Sequence, residues 1–578
     1  MASAFHLKFQ MWLRLHYTPS LSIKSNNRPQ KQAMCGIHAV IGSRDTPVLS
    51  REVEEKLRAR GPDHVGTTRV ELGDTSVTLT STVLSLRGDH VARQPLVDPK
   101  SGSSLCWNGE VWRIDGLPVA GSDTEAVFQL LVKARSDRGA DFSEEDPVLA
   151  ALRTIEGPFA FVFVDRPAQR LYYGRDRLGR RSLLVQTGLS ITLSSIAEST
   201  SEGWLEVEAD GCYSISLERS DSGEVFKPQR HAWLEGDDLV SSIGVFNTQT
   251  TDSPPQLMPS SASVWQLGHQ LREALQARVL NILLPPYAQS ADARIAVLFS
   301  GGLDCTVLAR LAADIVPIDQ PIDLLNVAFE NPRIAAQHQG LSIDDLYELC
   351  PDRITARKSF AELQAACPGR KWRLVAVNVP YSETRAHRAE IVHLMYPHSS
   401  EMDLSIANAL YFAARGQGQA SLAMESPSTP YTTSARVLLS GLGADELFGG
   451  YVRHSTAFQR NGYPGLIEEL KLDVSRLGKR NLGRDDRVMA HWGKEVRFPF
   501  LDERLVKWAI ELPAWEKCNF STPAGEGHPD AEKRVLRLLA QTLGLPLVAT
   551  EKKRAIQFGA RTAKMESGRV KGTTSIAP

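Results

Sequence analysis

Hydrophobic and polar positions follow different rhythms in the two halves of the chain. Before about residue 240, short apolar runs alternate with turn residues, as in GPFAFVFVD (157–165) and GCYSISL (211–217). Many short strands with few long helical patterns predict stacked antiparallel sheets. One helical pattern interrupts them in SDTEAVFQLLVKA (122–134), where Ser122 or Asp123 can serve as N-cap.

The rhythm changes after a segment rich in Pro and Ser, TTDSPPQLMPSSAS (250–263), which is typical of a linker. RIAVLFSGGLDCTVLARLAADI (294–315) then combines an apolar strand, a Gly-rich turn and a helical pattern. A second apolar strand follows in IDLLNVAF (322–329). Strand, turn, helix and strand form a βαβ unit, which predicts a parallel sheet in this half.

Composition narrows the classes of function. Lys and Arg total 66 against 67 Asp and Glu, and this near-neutral balance argues against a dedicated nucleic-acid binder. At 42% hydrophobic residues the chain can bury sizeable cores, and no apolar run reaches the roughly 18 residues that span a bilayer. None of the seven cysteines makes a CxxC pair, so neither a zinc site nor a disulfide framework is indicated, and a reducing compartment fits best.

The residues before Met34 differ from the rest. They contain basic residues, Ser, Leu and aromatic residues but no Asp or Glu, which is typical of a mitochondrial transit peptide. The alternative is a true start at Met34, which would supply a fresh N-terminus to the next motif. A start at Met34 predicts a cytoplasmic protein, and a genuine transit peptide over residues 1–34 predicts a mitochondrial one.

Met34-Cys35-Gly36-Ile37 resembles the start of class II glutamine amidotransferases, which are N-terminal nucleophile (Ntn) hydrolases. A thiol attacks an amide best as thiolate and needs a base beside it. The α-amine of an N-terminal Cys, with a pKa near 8, is such a base, whereas an amide nitrogen inside a chain is not. We therefore predict that residues 1–34 are removed and that the mature chain begins at the catalytic Cys35.

Further segments match this family in order. The resemblance implies that Asn108 and Gly109 form the oxyanion hole, and that Arg87, Glu110 and Asp123 bind glutamine. Arg87 would hold the α-carboxylate and Asp123 would pair with the α-ammonium group. The matching segments are Arg60-Gly61-Pro62-Asp63, Leu86-Arg87 with Gln94-Pro95-Leu96, Asn108-Gly109-Glu110, Ser122-Asp123, and Gly174-Arg175-Asp176 with Gly179 as a structural turn.

Ser300-Gly301-Gly302-Leu303-Asp304 resembles the pyrophosphate loop of ATP pyrophosphatases, and no Walker A run is present. A Gly-rich turn before a helix lets backbone N–H groups approach phosphate.

Leu439–Glu446 followed by Phe448-Gly449-Gly450-Tyr451 resembles the SGEGADE–FGGY segment of asparagine synthetases. The resemblance implies that Asp304 and Asp445 hold Mg²⁺. Glu495–Asp502 resembles the family's ExRxPFLD segment and implies that Glu495 and Arg497 lie in the acceptor region.

The same resemblance implies an ATP site, with Leu298 and Phe329 flanking the adenosine. Its full set is Leu298, Ser300, Gly301, Gly302, Asp304, Cys305, Phe329, Ser440 and Gly441.

Three positions depart from the enzymes that make asparagine. Cys305 replaces the serine after SGGLD and is a weaker donor to phosphate. Leu442 stands where a glutamate tied to adenylation is expected, and leucine can neither accept a proton nor bind a cation. Ala555 stands where the KEQF lysine is expected. Lys552, Lys553 or Lys564 are alternative sources of that charge.

The chain is thus identified as resembling the asparagine synthetase family, closest to the divergent asparagine synthetase domain-containing protein 1 group. The resemblance implies an α/β protein with an Ntn-hydrolase αββα sandwich followed by a doubly wound ATP-pyrophosphatase domain. The expected divisions are 1–34 extension, 35–240 glutamine amidotransferase, 241–264 linker, 265–565 synthetase and 566–578 polar tail.

The implied reaction uses glutamine, ATP with Mg²⁺, and aspartate as the acceptor, with neither nucleic acid nor membrane as a partner. Ammonia from glutamine would displace AMP from an adenylated carboxylate. Two alternatives stay open: another acceptor, or a degenerate synthetase acting as a regulator or scaffold. The oligomeric state, with a homodimer as one option, and the continuity of an ammonia tunnel also stay open.

Overall fold

The structure is a computed structural model of the chain. It describes residues 35–44, 49–136, 146–201, 203–218, 226–233, 243–285, 288–520, 530–565 and 571–576, which belong to one compact unit. The expected N-terminal extension, the first residues of the expected linker and part of the expected polar tail lie outside these ranges.

The first half forms two stacked antiparallel sheets, each of six strands within the described residues. The first sheet has the order β13-β11-β12-β1-β3-β2, and the second β15-β14-β10-β9-β5-β4. The strands and the short ribbon β6–β8 are β1 (Gly36–Ser43), β2 (His64–Leu72), β3 (Thr75–Val83), β4 (Leu96–Val97), β5 (Ser104–Gly109), β6 (Arg113–Ile114), β7 (Leu117–Pro118), β8 (Ile155–Glu156), β9 (Phe159–Asp165), β10 (Arg170–Arg175), β11 (Leu184–Thr187), β12 (Ile191–Ser194), β13 (Trp204–Glu206), β14 (Gly211–Ser216) and β15 (Gln229–Ala232).

Alternation along the strands builds the layers. In β9, Ala160, Val162 and Val164 face the other sheet, while the phenylalanines between them face helices. These are α2 (Asp123–Ser136) and α3 (Pro147–Arg153). On the outer face of the first sheet lies α1 (Arg51–Arg60), whose Val53 and Leu57 pack against Ile196. The layers therefore run αββα, as the family resemblance implies.

The second half contains a seven-stranded sheet with the order β20-β19-β18-β17-β16-β21-β22 among the described residues. Five neighbouring strands are parallel, namely β18, β17, β16, β21 and β22. β19 and β20 add an antiparallel edge. All eight residues of β17 are buried, so both faces are covered, as in doubly wound folds. The strands are β16 (Ile295–Leu298), β17 (Ile322–Phe329), β18 (Trp372–Val379), β19 (Gln417–Ser421), β20 (Thr429–Thr432), β21 (Val437–Leu439) and β22 (Glu495–Arg497).

Helices surround this sheet. They are α4 (Ala262–Val279), α5 (Leu303–Ile315), α6 (Pro332–Ala335), α7 (Ile343–Glu348), α8 (Pro351–Ala366), α9 (Tyr381–Ala386), α10 (Arg388–Met395), α11 (Glu401–Arg415), α12 (Ala444–Phe448), α13 (Val452–Ser475), α14 (Leu477–Arg480), α15 (Leu482–Ala490), α16 (Glu503–Glu511), α17 (Arg534–Thr542), α18 (Pro546–Thr550) and α19 (Ile556–Gly559). None of the helices in the described ranges has both the length and the apolar character needed to cross a membrane.

Buried ion pairs join the two halves. Arg60 donates to Asp486 at 2.8 Å with both side chains buried, and its Nε also reaches the Cys35 carbonyl at 3.4 Å. Asp63 accepts from Arg436 at 2.8 Å. The Arg60-Gly61-Pro62-Asp63 turn thus fastens the first sheet to the second half, because a buried charge without a partner is costly.

Candidate active sites

Cys35 lies at the start of β1, at the edge of a cleft of about 440 Å³. Leu84 N donates to its Sγ at 3.4 Å. Burial, with a smaller contribution from the nearby carboxylates of Glu495 and Asp123, raises the pKa of the thiol to about 12. The thiol is therefore protonated near neutral pH, and it reacts only if a base takes its proton.

The residues proposed for the oxyanion hole end strand β5. Gly109 lines the cleft, and a Cβ at this position would lie 2.3 Å from the Pro158 carbonyl, so glycine is needed for this close approach. The Asn108 side chain is buried, and its Nδ2 has no hydrogen-bond partner among the described residues. An unpaired buried donor is costly unless a ligand accepts from it.

Arg87 and Asp123 line the same cleft. The two Nη atoms of Arg87 donate to the carbonyls of Val111 (2.8 Å) and Val119 (2.6 Å), which fixes the guanidinium. Asp123, the first residue of α2, accepts from Val111 N at 2.8 Å and Thr124 N at 2.9 Å. Burial raises the pKa of the Asp123 carboxyl. A cation and a carboxylate on one cleft match the two charges of an amino acid.

The second half completes this cleft. Glu495 lines it, and Arg497 donates to Glu110 at 3.0 Å and to Glu495 at 2.6 Å. The sequence pattern predicts the acceptor region for Glu495 and Arg497, whereas the structure places them against the glutamine cleft. The reason is that β22 is an edge strand of the seven-stranded sheet and lies at the contact between the halves. Burial raises the pKa of Glu110 to about 8, although Arg497 opposes this.

The second cavity, of about 720 Å³, lies where the strand order reverses between β16 and β21. Ligands of open α/β sheets bind at this kind of switch point, beyond the carboxyl ends of the strands. Gly301 has φ +79°, and a Cβ there would lie 2.4 Å from Ala356 N. A Cβ at Gly441 would lie 2.8 Å from Asp304 Cβ, so the two Gly-rich loops touch.

Most residues predicted for the ATP site line this cavity, namely Leu298, Ser300, Gly302, Asp304, Cys305, Ser440 and Gly441. Gly301 lies behind the loop against α8. Phe329 does not line the cavity. It is buried against Phe412, and its N–H donates to Ala560, so the chain near residue 560 covers it. The middle of β17, Leu325 to Val327, takes its place at the wall.

Asp304 and Asp445 share one ammonium group. Lys533 Nζ lies 2.8 Å from both Asp304 oxygens and 2.9 Å from Asp445 Oδ1, and Lys553 also pairs with Asp445. The two lysines lower the pKa of Asp445 well below its usual range. Both carboxylates are therefore within reach of a single small cation. Mg²⁺ is commonly bound by one or two carboxylates together with substrate phosphates, so this donor set fits the ion.

The structure shows the surroundings of the residues that depart from the family pattern. Leu442 packs its partly buried side chain on the apolar core of the second half. Lys553 brings a charge to Asp445, whereas Lys564 lines a different cavity. The second cavity, called the nucleotide cavity below because most residues predicted for the ATP site line it, also contains the carboxylate of Asp352. Burial raises the pKa of Asp352 to about 7.

Lys533 and Asp352 are functional candidates that the sequence pattern misses. Lys533 lies in AEKRVLRLL without a motif around it, and its approach to Asp304 spans 229 positions of the chain. Asp352 follows Cys350-Pro351 in the first turn of α8. Acidic residues are common there because they stabilise the helix N-terminus, so the sequence did not distinguish Asp352 as functional.

Two family models match the chain. The glutamine amidotransferase domain model matches residues 34–210, and the asparagine synthase model matches residues 459–573. These matches cover Cys35 and the rest of the cleft in the first half, and Glu495 and Lys533 in the second.

Relatives match over nearly the whole length. "Asparagine synthetase domain-containing protein 1" of Bos taurus is 33% identical over 639 residues, covering 93% of this chain and 97% of the relative. The Mus musculus protein of that name is 33% identical over 638 residues, covering 93% and 98%. A solved structure described as the allosteric regulatory enzyme of purine biosynthesis covers 53% of this chain and 70% of its own at 16% identity, with a TM-score of only 0.28.

The fold and the paired sites are those of a synthetase-like glutamine amidotransferase. The chain belongs to the asparagine synthetase domain-containing protein 1 family, which confirms the resemblance read from its motifs.

Proposed function

We propose that this chain is a glutamine-dependent, ATP-consuming ligase that converts aspartate to asparagine, AMP and pyrophosphate. One observation carries the proposal: strand β22 touches both sites. Glu495 lines the glutamine cleft, and the Arg497 carbonyl accepts from Ser440 N at 3.0 Å in the nucleotide loop. The two chemistries of the matched families therefore meet at a three-residue strand.

In the cleft, removal of residues 1–34 would free the Cys35 α-amine to take the thiol proton. Sγ then attacks the side-chain amide carbon of glutamine, while Asn108 Nδ2 and Gly109 N–H stabilise the oxyanion. The C–N bond breaks as the protonated amine returns its proton to the leaving ammonia. Water hydrolyses the thioester and releases glutamate. Arg87 and Asp123 hold the two α-substituents of glutamine in place throughout.

In the nucleotide cavity, the Gly-rich turn at 300–304 positions the phosphates and the acceptor carboxylate attacks the α-phosphate, releasing pyrophosphate. Asp304 and Asp445 would hold Mg²⁺, which supplies neutralising charge to the phosphates. Lys533 and Lys553 keep the two aspartates in position and add positive charge beside the leaving group. Ammonia then attacks the acyl carbon and displaces AMP. Joining both sites in one chain limits the loss of ammonia, which is mostly protonated in neutral water.

A second candidate is amidation of a different carboxylate by the same two sites. Leu442 favours it, because an apolar side chain replaces the glutamate expected at the adenylation step. The two candidates share every step except the identity of the acceptor.

The test uses purified protein that begins at Cys35, with Mg-ATP, glutamine and aspartate. Pyrophosphate, glutamate and asparagine are measured together. Asparagine formed in step with pyrophosphate supports the proposal. If pyrophosphate appears only when another carboxylate is supplied, the second candidate replaces the first. If no pyrophosphate appears with any acceptor tried, both candidates are contradicted.

A further inference from the structure

A separate cavity of about 1000 Å³ lies in the second half, lined by α9, the start of α11 and the segment from Gln557 to Met565. It shares no lining residue with the nucleotide cavity. The two are nevertheless neighbours. Asn408 faces this cavity and Leu410, about 3 Å further along the same helix, faces the other. Likewise, Gln557 lines this cavity and its neighbour Ile556 lines the nucleotide cavity.

The charge of this cavity is unbalanced. Among the described residues that line it, Arg385, Arg388 and Lys564 stand against one carboxylate, that of Glu401. Within the described part of the chain, these three cations take part in no ion pair or side-chain hydrogen bond. Arg385 and Lys564 are exposed and Arg388 is half-buried. Arg415, which is also half-buried, pairs with Glu383. An excess of unpaired positive charge around a concave site favours an anionic ligand.

One wall carries an unpartnered polar group. Asn408 is only 6% exposed, and its Oδ1 has no hydrogen-bond partner in the described chain. Leaving a buried carbonyl oxygen unpaired is costly. Asn408 lines the cavity, so a ligand N–H group that reaches this oxygen would remove this cost.

The rest of the lining is apolar. Leu404 and Met565 are buried at the wall, and Met402 and Phe558 are exposed apolar side chains beside it. Phe558 is 56% exposed, whereas most phenylalanine side chains in folded proteins are buried. An apolar group on the ligand would cover these side chains and remove them from water.

We propose that this cavity binds a small carboxylate that also carries an N–H donor and an apolar group. The carboxylate pairs with Arg385 and Arg388, the N–H donates to Asn408 Oδ1, and the apolar group packs on Phe558 and Met565. This site is distinct from both active sites. The proposal concerns binding and not turnover, so it stands or falls independently of the proposed function.

The probe is N-acetyl-L-phenylalanine, which combines the three groups, titrated into the full chain by calorimetry. The double variant Arg385→Ala/Arg388→Ala should weaken binding at least about tenfold, because two charge-assisted hydrogen bonds are lost. Arg357→Ala is the matched control, since Arg357 pairs with Glu348 and lines neither cavity. Unchanged Mg-ATP binding shows that each variant is folded.

A second probe isolates the role of Asn408. In 2-benzyl-4-oxopentanoate a CH₂ replaces the N–H of the first probe. The unaltered chain should prefer the N–H compound, and Asn408→Leu should abolish that preference while binding of the CH₂ compound persists. The proposal is overturned if the first probe does not saturate the unaltered chain, if the double variant binds it equally well, or if inorganic phosphate displaces it with equal affinity.

Discussion

The glutamine cleft and the nucleotide cavity are assembled in different ways. The cleft takes Cys35 and Asp123 from the first half but Glu495 from the second, so its wall crosses the contact between the halves. The residues that line the nucleotide cavity all come from the second half. The cleft therefore depends on how the halves dock, whereas the nucleotide cavity depends on one half alone.

The two sites also balance their charges differently. Glu110 in the cleft faces Arg497 across the contact, and burial still raises its pKa to about 8. Asp445 in the nucleotide cavity faces Lys533 and Lys553 of its own half, and they lower its pKa. The cleft is thus short of positive charge, which the ammonium group of a bound amino acid can supply. The nucleotide cavity already holds cations that must make room for a metal ion.

The largest expected effect separates the two chemistries. Cys35→Ala should abolish glutamate release, a loss of at least about 10³-fold, because the nucleophile is gone. Pyrophosphate release supported by ammonium chloride should continue. Cys106→Ala is the control, since this thiol is buried between the two sheets. Glutamine hydrolysis that survives in Cys35→Ala would remove Cys35 from its proposed role.

The converse change acts on the nucleotide cavity. Asp445→Asn removes the carboxylate that Lys533 and Lys553 share, and pyrophosphate release should fall at least about 100-fold as metal binding weakens. Glutamate release should persist. Asp314→Asn, in an exposed pair with Arg310, serves as the control. Unchanged pyrophosphate release would exclude Asp445 as a metal ligand.

A change at the contact should affect the cleft more than the nucleotide cavity. Arg497→Met leaves Glu110 and Glu495 buried without their shared cation, which costs about 3–5 kcal/mol of unfolding free energy. Glutaminase activity should fall while Mg-ATP binding of the folded protein is retained.

Arg504→Met is the matched comparison for that change. Arg504 also pairs across the contact, with Glu156 at 3.3 Å, but it is partly exposed, so its loss should cost less than about 1 kcal/mol. Denaturant unfolding measures both variants. Equal costs would show that burial does not set the strength of this contact.

The smallest effect concerns Asp352, whose carboxylate lies 3.8 Å from the guanidinium of Arg554. Its pKa is raised to about 7 in the folded state, so the folded protein binds this proton more tightly than the unfolded chain. That stability is present at low pH and is lost as pH rises through about 7. Asp352→Asn should therefore unfold at a higher temperature than the unaltered chain at pH 8, with a smaller difference at pH 5. A difference that is independent of pH would contradict the raised pKa.

Local patterns were sufficient for part of this molecule. The apolar run in 157–165 predicts a strand, and residues 294–315 predict a strand, a Gly-rich turn and a helix, and the structure has these elements. These features depend on neighbours in the chain. The docking of the halves does not, so the sequence could not place Glu495 and Arg497 in the cleft or bring Lys533 to Asp304. Nor could the sequence show that the backbone of Phe329 pairs with the distant Ala560.

The most direct test of the central claim is the ratio of glutamate to pyrophosphate produced by the Cys35-terminated protein with Mg-ATP, glutamine and aspartate. Two coupled sites predict equal amounts of glutamate, pyrophosphate and asparagine at every time point. Glutamate released without pyrophosphate, whatever the aspartate concentration, would contradict the claim that this chain makes asparagine.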